Sequence, residues 1–129
     1  MKITRIRAGA DGATRFDEVE IPLAGAGEIG RLSKPFPADA VIFRETGADY
    51  DYDWHPAPAR QLVILLDGEI EIEVGCGEVR RFGGGEVLLL EDTSGRGHRT
   101  RNVGAVPRRS LFVRLAPDAL LDGSGGPPA

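Results

Sequence analysis

Residues 69–74, Glu-Ile-Glu-Ile-Glu-Val, alternate strictly between carboxylate and aliphatic side chains. A period of two puts three aliphatic groups on one face of a strand and three carboxylates on the other. A helix needs apolar positions three and four apart, so the repeat excludes one here. Upstream, 61–66 is a short apolar run that stops at Asp67-Gly68, a dipeptide suited to a two-residue type I′ hairpin turn. Downstream, Gly75-Cys76-Gly77 turns the chain, 78–82 reads as a short strand, and Gly83-Gly84-Gly85 ends it before a buried run at 87–90. Turn signals thus recur about every eight to ten residues, the spacing of an antiparallel sandwich or barrel.

Outside this stretch the pattern is sparser. Phe16, Val19, Ile21 and Leu23 suggest a strand over 16–23 interrupted by a bulge, and 40–45 reads as another. At 110–115, Leu111, Val113 and Leu115 share one face, with Phe112 and Arg114 on the other. Residues 118–122 suit one helical turn, and 123–129 has nothing to bury, so a mobile end is expected there. The expected organisation is one all-β domain over 1–115 followed by a tail over 116–129.

Composition narrows the function classes. The chain has 129 residues, with 16 basic and 20 acidic side chains and a formal charge of −4. That balance argues against a general nucleic-acid binder. The longest apolar run, 62–66, is far short of a membrane span, and no apolar stretch follows the charged start, so neither a membrane segment nor a secretory signal is expected. The one cysteine, Cys76, excludes an intrachain disulfide and a multi-Cys zinc site, and fits the cytoplasm. With only two histidines, His55 and His98, one chain cannot build a three-imidazole metal centre.

Two stretches carry a resemblance. Residues 54–61, Trp-His-Pro-Ala-Pro-Ala-Arg-Gln, followed by Asp67-Gly68, resemble the first cupin motif, G-x5-H-x-H-x3,4-E-x6-G. Counted back from Gly68, Gln61 stands at the glutamate position, Ala57 at the second histidine and His55 at the first. The stretch from Gly85 to Asn102 is similar to the second motif, G-x5-P-x-G-x2-H-x3-N, and keeps its closing H-x3-N as His98 and Asn102. It departs at the proline position, which is Glu91, and its loop is two residues longer. The resemblance covers roughly 40–115 and implies a small single-domain cupin, a jelly-roll barrel or double-stranded β-helix.

The family holds a metal inside the barrel with three histidines and one glutamate. Carried over, this implies His55 and His98 as ligands, Gln61 in place of the carboxylate, and one imidazole lost to Ala57. The implied cofactor is one divalent transition metal (Fe, Mn, Ni or Zn) or, with so few ligands, none. No donor of this set is anionic, so a hard cation needs help from another group, with Asp53, Asp92, Tyr50 and Tyr52 as candidates. Strand alternation groups Asp53 with His55 and Ala57, and Trp54 on the opposite, core-facing side. In the 91–97 loop, Gly95 and Gly97 permit a lid presenting Asp92 as acid or base near His98, or simply a long rim loop. Arg60, Arg96, Arg99 and Arg101 suit carboxylate or phosphate binding near the pocket, with Asn102 beside them, or else pair with Glu69, Glu71 and Glu73. Two functions follow: a metal-dependent oxygenase or isomerase acting on a small polar molecule, with Asp53 or Asp92 moving protons, or a metal-free binder of a small ligand. Sheet edges and the family resemblance point to a homodimer.

Overall fold

A computed structural model describes residues 1–124. Twelve strands follow in order: β1 (Lys2–Ala8), β2 (Thr14–Glu20), β3 (Ala24–Gly25), β4 (Arg31–Leu32), β5 (Ala38–Thr46), β6 (Asp51–His55), β7 (Gln61–Leu65), β8 (Glu69–Val74), β9 (Val79–Gly83), β10 (Val87–Leu90), β11 (His98–Asn102) and β12 (Arg108–Leu115). The only helical element among the described residues is a 3-10 turn, Gly27–Ile29. No described helix is long and apolar enough to cross a membrane.

The strands form a six-stranded sheet in the order β2-β1-β10-β7-β12-β5, a four-stranded sheet in the order β6-β11-β8-β9, and a small β3-β4 pair. The protein is all-β as expected, but the two large sheets stay separate and do not close into a barrel. The six-stranded sheet is also mixed, because β1 runs parallel to β10.

The alternating segment behaves as its pattern requires. Ile70, Ile72 and Val74 are buried, and β8 pairs with β9 through the Gly75–Gly77 turn. The Asp67-Gly68 expectation is corrected. These residues do not close a hairpin, since β7 pairs with β10 and β12 while β8 pairs with β9 and β11. The chain instead crosses from one sheet to the other. Asp67 accepts the Arg109 backbone N–H at 2.6 Å and its Nε at 2.7 Å, tying the crossing to β12. Gly68, at φ +70°, leaves room for the Arg108 stem, whose Cβ would lie 2.6 Å from any added Cβ.

Two apolar clusters result. The first lies between the sheets, with Ile6, Phe16, Val63, Leu65, Ile70, Ile72, Val74, Phe82, Leu88 and Leu90. The second covers the outer face of the six-stranded sheet and joins Ile3, Val19, Ile21, Leu89 and Leu115 to Ala119 and Leu121. Residues 116–122, expected as the start of a tail with one helical turn at 118–122, pack against the body through Ala119 and Leu121. They form turns rather than a helix. Arg60 clamps them, donating Nε to Glu91 at 2.6 Å and Nη1 to the Ala119 carbonyl. From residue 125 onward, the expected mobile end lies outside the described residues.

Candidate functional site

Between the sheets, toward the ends where β6 and β11 meet β5 and β12, lies a cavity of about 220 Å³. Its floor is apolar: Val63, Ile70, Ile72, Leu88, Leu90 and Phe112. Its remaining walls carry Arg44, Tyr50, Tyr52, His55, Gln61, His98, Thr100 and Arg108. No Asp or Glu is among the lining residues.

His55 on β6 and His98 on β11 are register partners, and their ring centroids are 4.7 Å apart. The close approach of these strands depends on Gly97, which adopts φ +78°. A Cβ there would sit 1.9 Å from the His55 carbonyl oxygen. The Gly97 carbonyl accepts the Thr14 hydroxyl at 2.7 Å, which fastens this corner to β2.

Each imidazole is held through Nδ1. In His55, Nδ1–H donates to the Asp53 carbonyl at 2.7 Å. In His98, Nδ1–H donates to Asp92 Oδ2 at 2.6 Å. Carbonyl and carboxylate oxygens only accept, so Nδ1 carries a hydrogen in both rings and Nε2 is the nitrogen left for other partners. Asp92 is buried behind His98 rather than on the cavity wall, and its backbone carbonyl also accepts the Ala57 N–H at 2.9 Å. Burial pulls the His55 pKa below the usual imidazole value; His98 and Arg44 push it the same way, while the Asp53 carbonyl and Asp92 oppose them.

Other expected site residues land differently. Asp53 is exposed and offers the site its backbone carbonyl, not its carboxylate. The reason is a register shift between His98 and Thr100 in the β6–β11 pairing. It breaks strict alternation, so Tyr52 and His55 both face the cavity and Asp53 does not. Trp54 is half-buried rather than core, with the Arg96 guanidinium 4.1 Å from its ring centroid. Arg60 belongs to the outer face of the other sheet. Arg99 and Arg101 point away from His98 and Thr100, into a shallow depression with Glu71 and Glu73, and Arg101 pairs with Glu71. Gln61 does reach the cavity, buried, and its Oε1 has no hydrogen-bond partner among the described residues.

Asn102 stands at the rim and acts on Arg108. It donates Nδ2 to the Gly47 carbonyl at 2.6 Å and accepts Arg108 Nε at 2.7 Å. Arg108 and Arg44 were not singled out from the sequence. The available signal was the second face of β12, where Arg108, Ser110 and Phe112 alternate with the apolar Leu111 and Val113. Among the described residues neither arginine is in an ion pair. Both guanidiniums instead lie over the Tyr50 ring, Arg44 at 4.8 Å and Arg108 at 5.3 Å. Burial and the nearby Arg44 charge lower the Arg108 pKa. No group of three or more His, Cys, Asp or Glu among the described residues could hold a metal ion.

No protein-family model and no curated protein matches the chain. Among solved structures it is similar to protein NMB1881 from Neisseria meningitidis, at 16% identity over 59% of this chain and 72% of that one, with a TM-score of 0.46. It is also similar to the Schizosaccharomyces pombe Cnp3 cupin domain, at 18% identity over 87% of this chain and 85% of that one, with a TM-score of 0.46.

Proposed function

We propose that this chain is a cupin-type protein, of jelly-roll lineage, that binds a small molecule in the cavity between its sheets without a resident metal. The observation that carries this reading is the make-up of the cavity wall. His55 Nε2, His98 Nε2 and Gln61 Oε1 are three neutral donors, and the wall has no carboxylate. Two guanidiniums share the same space. A dication placed among them meets repulsion with no anionic ligand to offset it, so the set does not suit the divalent metal that the cupin motifs imply.

A metal-free proton transfer of the isomerase type is the second reading, favoured by the His98–Asp92 pair. A buried carboxylate on Nδ1 orients the ring and fixes the tautomer that leaves Nε2 open to the cavity, the arrangement a general base requires.

The test is metal analysis of untagged protein, alone and after incubation with Fe, Mn, Ni or Zn. Less than a tenth of an equivalent is expected throughout. A full equivalent that disappears in His55→Ala replaces this reading with the metal-dependent one.

A further inference from the structure

We propose, resting on the cavity reading above, that the ligand is a small carboxylate with a compact apolar body, its carboxylate held by Arg44 and Arg108. Arg108 is only 3% exposed, yet among the described residues its one side-chain hydrogen bond is from Nε to the neutral Asn102 amide. Arg108 lines the cavity, and among the described residues its guanidinium has no acidic partner. A buried cation without a counter-charge is disfavoured, and a second cation nearby adds to the cost. Arg44 is that second cation, and both stand over one Tyr50 ring. An anion bridging the two removes the repulsion and supplies the missing acceptors.

The positioning of Arg108 is built in. Asn102 is anchored to the Gly47 carbonyl and takes up Nε, so the two terminal nitrogens remain as a fork for a ligand in the cavity that Arg108 lines. A planar fork matches a planar carboxylate. The apolar floor of the cavity selects the body of the ligand. Val63, Ile70, Ile72, Leu88, Leu90 and Phe112 offer no hydrogen bonds from their side chains, which favours hydrocarbon over a sugar or a free phosphate. A cavity of about 150 Å³ accommodates benzene. The 220 Å³ here leaves room for a ring of that size plus a carboxylate.

The experiment is calorimetric titration of the full chain with benzoate, benzamide and inorganic phosphate at low salt, repeated on Arg44→Gln, Arg108→Gln and Arg108→Lys. Circular dichroism checks that each variant folds. Benzoate is expected to bind at least tenfold more tightly than benzamide or phosphate, and Arg44→Gln, the less buried change, to remove that preference. Arg108→Lys, which keeps the charge and loses the fork, is expected to retain part of it. Equal binding of benzoate and benzamide overturns the anion inference and leaves the cavity reading standing. Tighter binding of phosphate overturns the carboxylate class, and an unchanged preference in folded Arg44→Gln overturns the assigned residue. No binding by any of the three probes counts against the inference and the cavity reading together.

Discussion

His55 and His98 oppose each other across β6 and β11, each with Nδ1 engaged and the rings 4.7 Å apart between centroids. The half-buried His55 resists protonation chiefly through burial, reinforced by His98 and Arg44. Its folded-state pKa therefore lies below the unfolded value of about 6.5. In the window between the two values the unfolded chain binds more protons, so stability is complete above about pH 6.5 and is lost as pH falls from there through the folded value. Urea midpoints measured from pH 7.5 downward should fall in this window, and the fall should be shallower in His55→Gln. Parallel profiles for the two proteins would refute the assignment of this pH dependence to His55.

Asp92 acts on the cavity only through His98. Replacing it with alanine leaves a buried Nδ1–H without its acceptor, which costs about 1–3 kcal/mol. Asp92→Asn keeps an acceptor oxygen and should cost less. The distinguishing readout is the ¹⁵N spectrum of the imidazoles. In Asp92→Ala the His98 ring should move toward a mixture of tautomers, whereas the His55 ring, held by the Asp53 carbonyl, should not. A His98 ring that keeps one tautomer without Asp92 would mean that another group positions it.

Which parts were legible from the sequence follows from what alternation can and cannot say. In β8, the run of Ile70, Ile72 and Val74 marks a half-buried strand, and the structure buries all three. β6 and β11 do not mark the site: His-Arg-Thr-Arg-Asn is polar on both faces, and the alternation of Asp-Tyr-Asp-Trp-His groups His55 with Asp51 and Asp53 opposite Tyr52 and Trp54. These two strands are nonetheless the ones that carry the histidines, which motif spacing located and periodicity did not. β1 was also hidden, since Ile3 and Ile6 point into different cores. Asp67-Gly68 names a change of direction but not the sheet that the next strand joins. Arg108 escaped for a related reason: alternation groups Leu111, Val113 and Leu115 without saying that their face is the outer one. The register shift that exposes Asp53 has no signature in residue types at all.

The two glycines beside the site make a contrast that isolates backbone approach from backbone angle. Gly95 and Gly97 both have positive φ, +75° and +78°. At Gly95 an added methyl meets nothing within 4 Å, so Gly95→Ala should carry only the left-handed penalty of about 1–2 kcal/mol. At Gly97 the methyl runs into the His55 backbone, which cannot move without breaking the β6–β11 ladder. Gly97→Ala should therefore cost more than about 4 kcal/mol, a range that few substitutions reach. Chemical denaturation of both variants decides the point, and similar losses would show that the two strands are not held this closely.

The C-terminal segment offers the sharpest separation between an appended tail and a part of the body. Leu121 is 3% exposed against Ile3, Val19 and Leu89, while its neighbour Leu120 is 38% exposed. The Arg60 clamp on the Ala119 carbonyl holds the segment in this register. If 116–122 seals the second core, Leu121→Ala removes a well-packed side chain and should cost about 2–5 kcal/mol. Leu120→Ala, facing solvent, should stay within about 0.5 kcal/mol. Urea unfolding of the pair gives both numbers under one condition. Two small and equal losses would mean that the segment is dispensable and that the outer face of the six-stranded sheet is stable without it.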